Sequence, residues 1–179
     1  EAGADMVFPE ALTAFRKKAL GLPDKPRDAG SFDVVIIGGG VAGTSAGVAA
    51  SRLGLKAALI QNRPVLGGNS SSEVRVWIQG GTMLPPYPRL GEIVRELNAI
   101  RPRSSPDVKE RHGDDVKLEV ARAEENLTLF LNHHADKVEM QGNRIVAVEA
   151  QNTVTAERVR FTGRIFADCT GDGTIGYLA

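Results

Sequence analysis

A glycine-rich turn in the first half of the chain has the residue types and spacing of a diphosphate-binding loop. Gly38, Gly40 and Gly43 fit G-x-G-x-x-G. In that pattern one glycine makes a tight turn, the next lets backbone approach a diphosphate, and the third lets a helix pack closely on a strand. A helix that begins at Val41 and Ala42 would direct unpaired N–H groups and a partial positive charge at the phosphates. A turn that serves packing alone is the alternative.

The spacing of small residues continues beyond this turn. Gly47 follows Gly43 by four positions, and Gly54 follows Gly47 by seven. Ala46 and Ala50 extend the same helix face, which can therefore lie close against a sheet. Because this longer pattern is far more specific than the six-residue match, it favours a dinucleotide-binding turn over one that only packs.

Two further segments combine glycine with polar side chains. Residues 66–72 form a second glycine turn rich in serine, and residues 170–173 read Thr-Gly-Asp-Gly. Their backbone can approach a flat ligand, and their amide and hydroxyl groups can hydrogen-bond to it. An ordinary surface turn is the alternative for the first segment. In the second, Asp172 can accept a hydroxyl hydrogen bond or cap the following helix, and both interpretations stay open.

The elements that would position these segments alternate between strand and helix. The β-branched apolar run at residues 32–37 is typical of a buried parallel strand. A helix over 41–53 and a strand over 56–60 complete a β-α-β unit. Apolar spacing predicts two more helices and a strand, over residues 90–100, 114–125 and 127–132.

The last third of the chain predicts an antiparallel meander followed by one more buried strand. Its three alternating segments are residues 137–140, 145–148 and 158–161, with a tight turn at Gln141-Gly142-Asn143. The buried strand covers residues 164–168. A further strand is predicted over residues 74–78, inside a long loop of the kind that is usually functional.

Together these residues resemble the FAD-dependent oxidoreductases, the glutathione-reductase-like flavoproteins with two dinucleotide-binding domains. The resemblance spans most of residues 31–179. It implies an α/β, Rossmann-like FAD-binding fold in which a parallel sheet with helices carries an antiparallel β-meander. It also implies that FAD is bound by Gly38, Gly40, Val41, Ala42, Gly43, Gln61, Asn62, Gly67, Gly68, Asn69, Ser70, Ala135, Thr170, Gly171 and Asp172.

Two of these positions have particular roles in the resemblance. Family members usually carry Glu or Asp at the end of the second strand, where it accepts hydrogen bonds from the adenosine ribose, but this chain has Gln61. Its amide can pair with ribose hydroxyls without charge assistance. Ala135 falls where family members contact adenine through main-chain atoms. The glycines at Gly67 and Gly68 would lie beside the isoalloxazine ring.

The function implied is an FAD-dependent oxidoreductase, or its FAD-binding portion, that exchanges hydride or electrons with a small-molecule substrate. An NAD(P)-binding domain and a non-catalytic dinucleotide-binding scaffold are the alternatives. The turn and linker residues at 21–26 predict that residues 1–30 are a leader or linker, and the resemblance implies that residues 31–179 are the FAD-binding domain. The substrate-binding part would be a further domain of the same polypeptide.

Composition excludes several other classes. Twenty-two Lys and Arg balance 22 Asp and Glu, so no large positive field would attract nucleic acid or an anionic membrane. No apolar run reaches the roughly 18 residues that a membrane-spanning helix needs. The single cysteine, Cys169, has no cysteine partner for a disulfide, which excludes disulfide reductase chemistry. The cysteine and histidine spacing fits no metal site, and the compartment is left open.

A few chemically capable residues are interpreted as ordinary. Cys169 is predicted to be a small buried hydrophobic residue, and His133 and His134 are predicted to have no special role. His112 is predicted to lie on a solvated face, since charged residues surround it. Arg75 and Trp77 follow the second glycine turn and could line a substrate pocket, with a surface arginine as the alternative.

Overall fold

The computed structural model describes residues 9–80, 84–98 and 105–179. In chain order the elements are α1 Pro9–Leu20, β1 Arg27–Ile37, α2 Val41–Arg52, β2 Ala57–Gln61, a short 3-10 helix Gly68–Ser70, α3 Glu92–Leu97, α4 Val108–His112, α5 Asp114–Arg122, β3 Leu127–Leu131, β4 His133–Gln141, β5 Arg144–Asn152, β6 Arg158–Asp168 and α6 Thr174–Leu178. None of the helices in these ranges is long and apolar enough to cross a membrane.

The six strands form one mixed sheet in the order β3-β2-β1-β6-β5-β4. Strands β3, β2, β1 and β6 run parallel, whereas β6, β5 and β4 are antiparallel neighbours. The parallel part holds the β-α-β unit, because α2 connects β1 to β2. The α/β, Rossmann-like fold with an antiparallel meander is confirmed.

Strands β1 and β6 are both longer than predicted. Arg27 pairs with Val159 and Ile37 pairs with Asp168, so residues 27–30 belong to the sheet rather than to a linker. The predicted separation of residues 158–161 from residues 164–168 is wrong, since both lie in β6. The strand continues because its whole length pairs with β1, while its first half also pairs with β5.

Alternation along the parallel strands divides the core into two layers. Val35, Ile37 and Ile60 face the meander, where they pack with residues such as Phe161. Ile36, Ala57 and Leu59 face the other way, toward helices α2 and α5. This two-sided burial is why β1 and β2 read as continuous apolar runs rather than alternating ones.

The predicted strand over residues 74–78 is wrong. Arg75 has a left-handed backbone with φ of 69°, and its N–H bonds to the Ser71 carbonyl while the Val76 N–H bonds to the Asn69 carbonyl. These bonds fold the segment back on the second glycine turn, so the N–H groups of Arg75 and Val76 are unavailable to a sheet.

The predicted helices in the middle of the chain are shorter in the structure. Helix α3 covers only Glu92–Leu97, and α5 ends at Arg122. Ile100, the predicted end of the first of these helices, lies outside the described residues.

Candidate dinucleotide-binding site

A cavity of about 570 Å³ lies where β1, β2 and β6 end. Parallel α/β sheets place their ligands at this edge, and the volume is in the range typical of ligand pockets. All the predicted cofactor residues except Gly43 line it. The other lining residues are Ile37, Ile60, Arg63, Val76, Trp77, Ile78, Gln79, His133, His134, Cys169 and Thr174.

The first glycine turn is shaped by close contact with the end of β6. Gly38 has φ of +103°, and a Cβ there would lie 2.2 Å from the carbonyl oxygen of Cys169. A Cβ on Gly43 would lie 1.8 Å from the carbonyl oxygen of Gly38. Gly43 therefore packs α2 onto the turn and lies outside the cavity lining, so its contact with a cofactor stays a prediction.

The start of α2 opens into the cavity. Gly40 is the N-cap and no side-chain hydrogen bond from the described residues caps it. The first helical N–H bond is that of Thr44 to the Gly40 carbonyl, so the N–H groups of Val41 and Ala42 have no intrahelical acceptor. A Cβ on Gly40 would meet nothing within 4 Å. Open space in front of unpaired helix N–H groups fits a diphosphate.

The second glycine turn lies directly against the first. The Gly67 N–H donates to the Gly39 carbonyl at 2.8 Å, and Gly40 and Gly67 form an isolated parallel bridge. The Ser70 hydroxyl donates to the Gly67 carbonyl at 3.0 Å. Ser70 thus stabilises its own turn, while the backbone of Gly67 and Gly68 faces the cavity.

Gln61 lies at the end of β2 and is 5% exposed. Its side-chain oxygen accepts the Gly39 N–H at 2.8 Å, and its side-chain nitrogen donates to the Val65 carbonyl at 3.0 Å. The contact of Gln61 with a ribose stays a prediction. In the structure its amide group forms hydrogen bonds with the backbone of Gly39 and Val65.

The third cavity segment, residues 170–173, is held in place by Asp168, which was not among the predicted site residues. One oxygen of Asp168 accepts hydrogen bonds from the N–H and hydroxyl of Thr170. The other accepts the N–H groups of Ile175 and Gly176. Burial raises the pKa of Asp168, but these hydrogen bonds outweigh burial and hold the pKa below its ordinary value. The clamp orders the segment that carries Thr170, Gly171 and Asp172 into the cavity.

Asp172 does not cap the following helix. The N-cap of α6 is Gly173, which has no side chain to cap the helix. The Asp168 carboxylate caps it instead, by accepting the N–H groups of Ile175 and Gly176 in the first turn. This outcome leaves the Asp172 carboxylate exposed at the cavity wall.

Two histidines interpreted as ordinary line the cavity. The Nδ1 atom of His133 lies 2.7 Å from the Leu131 carbonyl. Since a carbonyl only accepts, Nδ1 is the donor of this hydrogen bond, and Nε2 is the ring nitrogen left for another partner. The alternation of β4 places His133 and Ala135 on one face. A signal was present in the sequence: both histidines follow a strand that ends at the ligand-binding edge.

Cys169 also lines the cavity. Burial, with a smaller contribution from the Asp168 carboxylate, raises the pKa of its thiol. The thiol therefore stays protonated and is a poor nucleophile. This agrees with its interpretation as a small hydrophobic residue.

A buried layer supports the second glycine turn from behind. Lys117 on α5 is 2% exposed, its Nζ donates to the carbonyls of His112 and Gly113, and its methylenes contact Gly67. His112 is 9% exposed and stacks on Trp77 with ring centroids 4.5 Å apart. The predicted solvated face for His112 is therefore wrong, because the ring is buried and the indole of Trp77 stacks on it.

Arg75 does not line the cavity, whereas Trp77 does. The Arg75 side chain instead donates to the Ser72 carbonyl at 3.1 Å. Of the two residues considered for a substrate pocket, only Trp77 has the position for it.

A family model described as "FAD dependent oxidoreductase" matches residues 33–179. Among solved structures, THI4 of Thermovibrio ammonificans has a TM-score of 0.59 at 21% identity, covering 99% of this chain and 70% of that one. A variant of E. coli quinol fumarate reductase FrdA has a TM-score of 0.57 at 16% identity, covering 80% and 33%. The myxobacterial chondrochloren halogenase CndH, described as an FAD-dependent halogenase, has 0.53 at 16%, covering 77% and 37%. At these identities the structures establish the fold alone, and the chain spans about a third of the halogenase and of the reductase subunit.

Proposed function

The chain belongs to the FAD dependent oxidoreductase family, and on that premise we propose that it is an FAD-dependent oxidoreductase or the FAD-binding portion of one. In this proposal a small-molecule substrate exchanges hydride or electrons with the flavin. The family is FAD dependent, which makes FAD the cofactor. The substrate and its binding domain would belong to a further part of the polypeptide.

One observation carries this proposal. Three segments that are far apart in sequence, beginning at Gly38, Gly67 and Thr170, meet around one cavity at the carboxyl ends of parallel strands. The first offers unpaired helix N–H groups, the second offers glycine backbone, and the third offers a hydroxyl and a carboxylate. These three kinds of binding group match an elongated cofactor that has a diphosphate in its middle.

Each part of the cofactor has matching residues in the cavity. The N–H groups of Val41 and Ala42 would bind the diphosphate. The backbone of Gly67 and Gly68 would lie against the flat ring, where side chains would clash. Ala135 and the imidazole of His133 would line the adenine end. FAD itself supplies the redox chemistry when bound, and this chain supplies binding and orientation.

A visible spectrum with cofactor extraction tests the proposal on the purified intact chain. We expect flavin absorbance near roughly 450 nm, recovery of FAD rather than FMN on denaturation, and bleaching when a reductant is added. Colourless protein that takes up no FAD on reconstitution would overturn it. Binding of NAD(P)H without flavin uptake would instead support a nicotinamide-dinucleotide domain, and bound FAD that no organic donor reduces would support a non-catalytic scaffold.

A further inference from the structure

We infer that Gln61 is a positioning residue that fixes the distance between the two glycine turns, and that it is not the ribose acceptor of the site. The inference deepens the proposed function. Its test by FAD binding rests on that function, whereas its test by the unfolding temperature of the FAD-free chain does not.

The side-chain amide of Gln61 forms hydrogen bonds with the first glycine turn and with the segment that leads into the second. Its oxygen accepts the Gly39 N–H at 2.8 Å in the first turn. Its nitrogen donates to the Val65 carbonyl at 3.0 Å, immediately before the buried Leu66 that leads into the second turn. Because one partner is a donor and the other an acceptor, the orientation of the amide is fixed by chemistry.

The Gly39 peptide is the other end of this connection. Its N–H is used by Gln61, while its carbonyl accepts both the Gly67 N–H at 2.8 Å and the Thr44 hydroxyl at 3.1 Å. A Cβ on Gly39 would lie 2.9 Å from the Cβ of Gln61 and 2.8 Å from a methyl of Leu66. Gly39 is buried, and the Gln61 side chain completes the hydrogen bonding of its backbone.

This geometry gives a physical reason for the departure from the family pattern. A carboxylate at position 61 could accept the Gly39 N–H, but it has no hydrogen to donate to the Val65 carbonyl and would repel that oxygen. Glutamine is the side chain of this length that both accepts and donates. The charge that family members direct at the ribose is therefore replaced here by a bond that holds the turns together.

Substitution by glutamate separates the two roles because they predict opposite effects. A positioning role predicts that Gln61→Glu lowers the unfolding temperature of the FAD-free chain at about pH 8, where the side chain is ionised. It also predicts that the unfolding temperature of this variant returns toward the wild-type value at about pH 5. Burial beside a carbonyl favours the protonated acid, which can donate to the Val65 carbonyl. A ribose-acceptor role predicts no change in the FAD-free chain and tighter FAD binding at the higher pH.

The FAD dissociation constant, measured by fluorescence quenching over the same pH range, is the second readout. We expect Gln61→Glu to weaken binding about tenfold or more at about pH 8 and much less at about pH 5, since leaving Val65 unpaired costs a buried hydrogen bond. Gln61→Met, which can neither accept nor donate, should weaken stability and binding equally at both pH values. His133 and His134 carry imidazoles in the same cavity, so the wild-type pH profile is the reference.

Gln141→Glu, at the exposed end of β4, is the matched control, because it adds the same charge away from the cavity and should change neither readout. Unchanged stability of FAD-free Gln61→Glu at about pH 8 would overturn the inference, as would tighter FAD binding by that variant. If the wild-type chain bound no FAD, the proposed function would fail, while the unfolding temperatures of the FAD-free variants would still decide the role of Gln61.

Discussion

At the scale of single residues, Gly40 is the position where the cavity can be altered with least effect on the fold. Its φ of −64° and ψ of −178° suit any residue, and an added Cβ meets nothing within 4 Å. By contrast, Gly38 touches the Cys169 carbonyl and Gly43 touches Gly38. The three glycines of one motif thus have different physical tasks.

Gly40→Asp and Gly40→Asn form a matched pair for the diphosphate contact. Either side chain can cap α2, so we expect both variants to fold at least as stably as the wild-type chain. Only aspartate places a negative charge beside the diphosphate, and its FAD dissociation constant should exceed that of the asparagine variant about tenfold or more. Titration followed by flavin fluorescence measures the difference. Equal affinities would argue against a diphosphate at this helix end.

Asp168→Asn tests the clamp on the third segment. Asparagine cannot accept all of the hydrogen bonds that Asp168 accepts, so we expect a loss of about 1 kcal/mol in unfolding free energy, moderated because the carboxylate is partly exposed. FAD affinity should also fall, since Thr170 and Gly171 lose their support. Chemical denaturation with and without FAD measures both effects.

The same residue sets a pH dependence with a defined sign. Because the pKa of Asp168 is held below its ordinary value of 3.8, its stabilising contribution is complete above that value and is lost as pH falls through the lower, folded-state pKa. The stability gap between the wild-type chain and Asp168→Asn should therefore narrow in acid. Unfolding temperatures between about pH 2 and pH 7 test this, and parallel curves would contradict it.

At the scale of elements, the approach of α2 to the sheet determines where the helix N-terminus points. Small residues on the inner face of α2 permit a close approach: Gly43 lies over the first turn, and Gly47 lies over the side chain of Leu127. At the other end of the cavity, Lys117 on α5 supports Gly67. The cavity therefore depends on helix packing on both sides of the turns.

Gly43→Ala and Gly47→Ala compare the same substitution at two positions of α2. A Cβ at Gly43 would lie 1.8 Å from a backbone oxygen, so we expect destabilisation by about 1–3 kcal/mol. A Cβ at Gly47 would lie 3.1 Å and 3.2 Å from methyl groups of Leu127, which can shift, and alanine gains about 1 kcal/mol in helix propensity. Gly47→Ala should therefore be near neutral. Chemical denaturation of both variants tests the ranking, which a stable Gly43→Ala would reverse.

At the scale of the whole molecule, the sheet combines two parts with different tasks. The strands of the parallel half end in the loops that form the cavity. The antiparallel half packs against one face of the parallel strands and buries residues such as Phe161 and Val148. Strand β6 belongs to both parts, since it pairs with β1 on one side and β5 on the other. Because the cavity lies where distant segments meet, a ligand that fills it should stabilise the entire fold.

We expect FAD to raise the unfolding temperature of the chain. At a hundredfold excess over its dissociation constant, a ligand that binds only the folded state adds about 2.7 kcal/mol. Riboflavin lacks the diphosphate and adenosine and should produce a much smaller shift at the same concentration. Calorimetry with each ligand makes the comparison. An unfolding temperature that FAD leaves unchanged would count against the cavity as its site.

The sequence by itself determined the features that depend on local pattern. Apolar runs predicted β1 and β2, glycine spacing predicted the turn and the length of α2, and turn residues predicted the β4–β5 hairpin at Gly142. These could be read because strand burial, helix entry and tight turns are decided by residues close together in the chain. The resemblance carried by the same residues indicated the segments that line the cavity.

Only the tertiary structure decided which groups remain free to act. The contact of Gly38 with Cys169, the bond of Gln61 to Gly39 and the support of Gly67 by Lys117 join residues that no local pattern relates. For the same reason residues 74–78 fold onto a turn instead of forming a strand, and His133 faces the cavity. Hydrogen bonding and close packing depend on position in space, and distant segments acquire their relative positions only when the whole sheet has formed.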